Sequence, residues 1–246
     1  MTTTTASPVT RSKLVSRHEV AERTTAFRFE KPSNWTFKAG QYLDMTLLDP
    51  PETDAEGNIR SFSIASGPHE DTLMVATRMR DTAFKRVLKT MPPGSAVKIE
   101  GPSGSLTLHN NVARTAVFLA GGIGITPFRS IVFRAAKEKL GHRIFLFYSN
   151  RRPEDAPFLD ELQALEQENP NYKLVASMTE AAKSHQSWHG EVGRIDREML
   201  ARHLKDAASP IYYIAGPPAM VKGLHTMINQ AGIDDDDIRT EEFDGY

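Results

Sequence analysis

Apolar and polar positions along this chain follow two different rhythms. Between residues 13 and 108 the apolar residues come in short runs, at 14–16, 24–28, 42–47, 62–64, 73–76 and 96–99. Turn signals such as Lys31-Pro32-Ser33-Asn34, Gly67-Pro68 and Pro92-Pro93-Gly94 separate them, so each run reads as a strand. A single helical pattern interrupts the series, over residues 83–89. Residues 49–58 are polar, with two prolines and a glycine, and read as a surface loop. Short strands with one helical insertion predict a small antiparallel barrel.

From Arg114 onward the rhythm changes. Strand-like runs at 115–120, 144–148, 173–177, 211–215 and 238–243 alternate with helical patterns at 128–140, 158–168, 196–204 and 219–230. Residues 178–194 read as a long polar loop. Alternation of this kind predicts a parallel sheet covered on both faces, with ligands beyond the carboxyl ends of its strands. The fold class is therefore β followed by α/β. Residues 1–9 form a disordered tail, residues 10–110 an antiparallel Greek-key barrel domain, and residues 111–246 a parallel-sheet α/β domain. Gly101-Pro102-Ser103-Gly104 reads as the turn and hinge between the two domains.

Composition narrows the function classes. The 246 residues carry a formal net charge of -1, which leaves no basic footprint for nucleic acid. No apolar run is long enough to span a bilayer, so no membrane partner is expected. The Thr-rich N-terminus lacks a basic start and an apolar core, unlike a secretory signal. The absence of cysteine excludes disulfides, a thiol nucleophile and a cysteine-ligated iron-sulfur cluster in these residues, and points to the cytoplasm. The histidines form no ligand motif, and Asp234 to Asp237 reads as a solvated turn, so no metal is expected.

Four stretches carry chemistry. In Phe118-Leu119-Ala120-Gly121-Gly122-Ile123-Gly124-Ile125-Thr126-Pro127 a buried strand stops at glycines and a helix opens. Bare backbone N–H groups and the helix dipole there suit a phosphate, and an ordinary tight turn is the alternative reading. In Arg60-Ser61-Phe62-Ser63, strand alternation puts Arg60 and Phe62 on one face, suiting a ligand with a phosphate end and a flat ring. An exposed arginine beside a core phenylalanine is the other reading. Asp81 or Thr82 caps the helix that follows, where a hydroxyl and free N–H groups can take a second phosphate oxygen. Gly216-Pro217-Pro218 ends a strand and faces the same cleft as the first glycine turn.

Together these residues resemble the ferredoxin-NADP reductase family of FAD-binding oxidoreductases. The family's Arg-x-Tyr/Phe-Ser is matched at Arg60 to Ser63, and its Gly-Gly-x-Gly-x-Thr-Pro at Gly121 to Pro127. Its Cys-Gly-Pro-Pro-x-Met is matched at Ala215 to Met220, and its Glu-x-aromatic ending at Glu241-Glu242-Phe243. The resemblance implies that Arg60 binds the FAD pyrophosphate, with Ser61 beside it in the motif. Phe62 stacks on the isoalloxazine, and Ser63 hydrogen-bonds near its N5. Thr82 supplies a second pyrophosphate contact, and Ala76, Thr77 and Arg78 run along the ring edge. Gly121, Gly122, Gly124 and Thr126 hold the nicotinamide nucleotide, and Gly216, Pro217 and Met220 shape its pocket. Phe243 covers the other flavin face, Glu241 assists the chemistry at N5, and Tyr246 stacks on the adenine. One departure is Ala215, where the family often has cysteine near the hydride path.

The implied activity is hydride transfer from NAD(P)H to FAD. Electrons then pass to a separate acceptor, which is a ferredoxin, an oxygenase or a small molecule. A reductase component of a multicomponent oxygenase and a non-catalytic flavin redox-sensing module are the alternatives. Arg151 and Arg152 follow one strand and Glu180 follows the next. A carboxylate there leans toward NADH, an arginine toward NADPH.

Overall fold

The computed structural model describes residues 9–243. The expectations for residues 1–8 and for Tyr246 lie outside the described residues, and Val9 already belongs to the first strand. In the first half, β1 (Val9–Ala21), β2 (Thr24–Glu30), β3 (Tyr42–Leu47), β4 (Ile59–Ser63), β5 (Thr72–Arg78) and β6 (Ala96–Ser103) form one sheet of order β4-β3-β6-β1-β2-β5. Every pairing in it is antiparallel, and β6 returns to lie between β3 and β1, a Greek-key path. The sheet curls toward closure. Just past β4, the Ala65 N–H donates to the Met74 carbonyl on β5 at 2.7 Å, bringing the two edges together. Leu43, Met45 and Leu47 alternate inward from β3 onto Phe27, Phe29, Val97 and Ile99. The helix α1 (Ala83–Thr90) closes this core with Phe84, Val87 and Leu88.

Two features differ from the sequence reading. β1 spans 13 residues where the apolar pattern marks three. Its first part pairs with β6 and its second with β2, and residues 15–19 are all exposed, so no alternation signals the strand. Gly101-Pro102 is not a hinge turn but part of β6, with Ser103 still paired to Tyr42. The register shifts between Tyr42 and Asp44, and such a bulge is where a strand accommodates glycine and proline.

In the second half, β7 (Ala116–Gly121), β8 (Ile144–Asn150), β9 (Tyr172–Met178), β10 (Glu191–Val192), β11 (Ile211–Gly216) and β12 (Ile238–Glu242) form a parallel sheet of order β10-β9-β8-β7-β11-β12. α2 (Ile125–Lys137), α3 (Leu159–Glu168), α4 (Arg197–His203) and α5 (Pro218–Gln230) connect the strands. The two-residue β10 lies inside the stretch read as loop and is too short to leave a periodic signal. β7 and β11 are buried throughout, as central strands with helices on both faces must be. Alternate side chains of β7 feed two cores. Phe118 and Ala120 join the α2 and α3 side, while Val117 and Leu119 join the α4 and α5 side. The first of these cores also takes in Ala26, Met74 and Ala76, so the barrel packs on the α2 and α3 face.

Polar groups pin that contact. Arg129 of α2 is 3% exposed, donates to the Ala65 carbonyl at 2.7 Å, and pairs with Glu70 and Glu161. Ser130 Oγ donates to the Ser66 carbonyl at 2.6 Å, and Arg152 meets Glu22 at 2.8 Å. Asp237 ends a single 3-10 turn in the aspartate run and is paired with Arg114 at 2.7 Å. Among the described residues no helix is long and apolar enough to cross a membrane.

Candidate functional site

The strand order of the second sheet reverses at β7 and β11, where crossovers depart to opposite sides and leave a crevice. Both glycine-containing turns sit at this point. A methyl group built on Gly121 would collide with Met220 Sδ, and one on Gly124 with the Ala215 carbonyl oxygen. Close approach of the two turns is thus what requires bare backbone at these positions. Ala215, at the place of the family's cysteine, is fully buried. Gly122 to Gly124 form a 3-10 turn, and α2 starts at Ile125, three residues earlier than the apolar spacing indicates. Thr126 is nearly enclosed and donates to the Ile123 carbonyl at 3.0 Å.

A cleft of about 350 Å³ opens between this turn and the barrel. Arg60, Ser61, Phe62 and Ser63 line it from β4, and Ala76, Thr77 and Arg78 from β5. Ile123, Thr126 and Phe243 line it from the α/β half. Arg60 and Phe62 do share a face of β4, and both meet Phe84: the guanidinium lies 5.2 Å from that ring and the Phe62 ring 5.9 Å from it. Phe62 is 8% exposed, a member of the barrel core whose edge borders the cleft. Arg60 bonds Glu56 Oε2 at 2.6 Å and the carbonyls of Glu56 and Ile59. The Ser61 hydroxyl is held by Asp44 on β3.

At the floor, Ser63 Oγ donates to Glu241 Oε1 at 2.9 Å, linking β4 to β12. Burial pushes the Glu241 carboxyl above its ordinary range, and the Ser63 hydrogen bond opposes that only in part. The Phe243 N–H donates to the Gly216 carbonyl at 2.9 Å, which fixes the main chain on which its ring is mounted. Thr82 is the N-cap of α1, its oxygen accepting from the Lys85 N–H at 3.4 Å, and the Ala83 N–H donates to Asp54 at 2.7 Å.

Arg80, Lys85 and Glu56 also line this cleft, and the sequence reading passes over all three. Arg80 and Lys85 flank Thr82 within three residues, a concentration of charge that could have drawn notice. A second cleft of about 430 Å³ lies beyond the carboxyl ends of β8 to β11 and is lined by Ser149, Thr179, Arg194, Pro217, Met220 and Leu224. Arg194 follows β10 and was hidden with it. Glu180 does not line this cleft; it pairs with Lys183 at 3.0 Å. Arg151 is exposed and Arg152 is tied to Glu22 and Asp155.

A larger cleft, about 620 Å³, runs between β1 and α3 and holds none of the expected site residues. On its border Glu22, Glu154 and His185 place one ligand-type atom each within 4.8 Å of one another. The Arg152 guanidinium stands among them, 2.8 Å from Glu22 and 3.1 Å from Glu154, and already pairs with both carboxylates.

Comparison with known proteins agrees with this geometry. Residues 11–108 match the oxidoreductase FAD-binding domain and residues 118–226 the oxidoreductase NAD-binding domain. The chain is 28% identical over 209 residues to the terephthalate 1,2-dioxygenase reductase component 2 of Comamonas sp, covering 84% of this chain and 59% of that protein. It is 27% identical over 186 residues to a component of the Na(+)-translocating NADH-quinone reductase of Idiomarina loihiensis, covering 74% of this chain and 44% of that one. Its fold is that of the cytochrome P450 reductase of Amycolatopsis, with a TM-score of 0.80 at 19% identity over 96% of this chain and 71% of the other. It is also that of a ferredoxin NADP+ reductase from Neisseria gonorrhoeae with bound FAD and NADP, with a TM-score of 0.77 at 22% identity over 95% and 98% of the two chains. The curved antiparallel half, the parallel half and the two matched domains in this order show that the chain belongs to the ferredoxin-NADP reductase-like family of FAD- and NAD-binding flavoprotein reductases.

Proposed function

We propose that this chain is a flavin-dependent NAD(P)H oxidoreductase that takes a hydride from NAD(P)H onto FAD and delivers electrons to a separate acceptor. The observation that carries the reading is the Ser63–Glu241 hydrogen bond, which joins the FAD-binding half to the NAD-binding half at the floor of the cleft they share. The cleft suits FAD. Phe62, Ala76, Ile123 and Phe243 offer apolar walls to a flat ring, and Arg60, Arg78, Arg80 and Lys85 offer positive charge to a diphosphate. Residues 10–110 serve as the FAD domain and residues 111–246 as the NAD(P) domain, with the division between Ser103 of β6 and Ala116 of β7.

When bound, FAD supplies a ring that accepts the hydride and releases electrons one or two at a time. The chain's own groups orient and protonate. With Glu241 ionised, Ser63 donates its hydroxyl hydrogen to the carboxylate and its oxygen would be free to accept from a ring N–H; with Glu241 protonated, the carboxylic acid would donate to Ser63 and the serine hydroxyl would donate to the ring. The raised affinity of Glu241 for a proton favours that second arrangement. Phe243 would shield the ring from water, and Pro217 and Met220 would shape the nicotinamide seat. Gly121, Gly122, Gly124 and Gly216 would hold the nucleotide through the main chain of the two turns that their packing brings together. Choice between NADH and NADPH falls to Ser149, Thr179 and Arg194, which line the second cleft, and not to Glu180. The absence of cysteine from the sequence is the ground for a cytoplasmic location.

A reductase component serving an oxygenase is the second reading, favoured by the terephthalate dioxygenase relatives. The chain spans 59% of the first of those proteins. The test is rapid mixing of the flavin-loaded protein with NADH or NADPH without oxygen. Loss of the flavin's visible absorbance within seconds supports the reading. Persistent colour with both donors, or a purified protein that takes up no flavin, overturns it.

A further inference from the structure

Lys85 occupies the first turn of α1, a turn with no acidic residue. A cation there opposes the helix dipole, and the Asp54 carboxylate that accepts from the Ala83 N–H forms no ion pair with it. Lys85 is half-buried and lines the flavin cleft together with Arg60, Arg78 and Arg80. Its Nζ donates to the Arg78 carbonyl at 2.6 Å, and it forms no ion pair among the described residues. Glu56, the carboxylate among the described residues that line the cleft, is engaged with Arg60 at 2.6 Å. A half-buried ammonium among guanidinium groups is costly unless a guest balances it.

The other groups at this end of α1 are already served by the protein. The Thr82 oxygen accepts from the Lys85 N–H, and the Ala83 N–H is taken by Asp54. Arg86, on the same helix, is turned to Glu52 and Asp81. On α1 itself, Lys85 is the cation left facing the cleft without an ion pair among the described residues, and Arg80 just before the helix faces it too.

We propose that Lys85 is the second cationic anchor of the FAD diphosphate, beside Arg60, in the role that the sequence pattern gives to Thr82. The proposal rests on the reading of this cleft as the FAD seat. Burial first, then Arg80 and Arg60, and to a lesser degree Arg78, push the Lys85 amine down to about 8, with Glu56 opposing them. A diphosphate beside the amine raises that value again. The bound state therefore holds the proton more tightly than the free state, so FAD affinity falls as pH rises above about 8. One linked proton gives at most about a tenfold change per pH unit. Arginine at this position keeps its charge throughout that range.

The test uses the full chain stripped of flavin and titrated with FAD, FMN and riboflavin at about pH 7 and about pH 9. Lys85→Met is expected to weaken FAD binding at least about tenfold at the lower pH, the loss of one charge-assisted contact. It should also abolish the pH dependence and leave riboflavin, which has no phosphate, unaffected. Lys85→Arg is expected to keep FAD affinity and flatten the pH profile. Equal losses for riboflavin and FAD in Lys85→Met would give Lys85 a packing role and overturn the proposal. So would a pH dependence that survives in either variant. A wild-type chain that binds none of the three flavins removes the FAD seat itself, whereas tight FAD binding indifferent to both substitutions removes Lys85 alone.

Discussion

Ser63 and Glu241 stand 178 residues apart in the sequence and 2.9 Å apart in the structure. One ends a barrel strand and the other lies in the last strand of the parallel sheet, so neither half alone contains the pair. Ser63→Ala and Glu241→Gln are each expected to slow flavin reduction by NAD(P)H by about 10²-fold, the lower end of what a positioned acid or base contributes. Phe243→Ala should slow the same step. Stopped-flow rates matching wild type in the first two would remove them from the chemistry.

His109 and His142 form a buried pair at the opposite end of the second sheet. His109 Nδ1 lies 2.9 Å from the Tyr213 hydroxyl, and His142 Nε2 lies 2.8 Å from the His109 carbonyl. Burial lowers both imidazole values below the ordinary one. The unfolded chain then binds protons that the folded chain refuses, so stability is full above the ordinary histidine range and is lost as pH falls through it. Melting temperatures measured from about pH 7.5 down to about pH 5 should fall, and fall less in His142→Gln.

Two glycines should respond in opposite directions to the same added methyl. Gly124→Ala places a Cβ against the Ala215 backbone and is expected to destabilise by about 2 kcal/mol or more. Gly223 lies within α5 with nothing near its added Cβ, so Gly223→Ala should stabilise by about 0.5–1 kcal/mol. Urea unfolding of the two variants beside wild type decides both.

Removing Arg129 should loosen the two halves. Its guanidinium is enclosed, and Arg129→Met leaves the Ala65 carbonyl without its arginine and strips from Glu70 the nearer of its two arginines, Arg28 remaining at 3.4 Å. Breaking such a buried pair is expected to destabilise by about 3 kcal/mol. A denaturation curve that separates into two transitions would locate the loss at the contact between halves.

Arg194 and Glu180 make contrasting predictions about the donor. Arg194→Ala should lower kcat/KM for NADPH about tenfold relative to NADH, because the side chain lines the cleft beyond β10. Glu180→Ala should leave the ratio unchanged, since Glu180 is paired with Lys183 outside it. Steady-state kinetics with both nucleotides tests the two together.

Much of this architecture was legible because its signals are local. The buried runs of β7 and β11, the glycines between β7 and α2, and the Arg60 to Ser63 strand carry their meaning within a few residues. β1 was not legible as a long strand, because its exposed second part has no apolar rhythm, and β10 was too short to have one. Glycine and proline in β6 imitated a turn because a bulge uses the same residues. Lys85 and Arg194 were missed for another reason. Each matters through what the other elements bring beside it, and no spacing along the chain encodes that meeting.

The backbone bond between Phe243 and Gly216 has a kinetic consequence. With its main chain held, the Phe243 ring, in the role proposed for it, would vacate the donor's place by turning about its own side-chain bonds, leaving β12 paired. Side-chain turns of this kind take picoseconds to nanoseconds, against microseconds to milliseconds for a moving lid. Admission of nicotinamide should therefore be governed by its own arrival, and a slow turnover would originate in a step after the ring has turned.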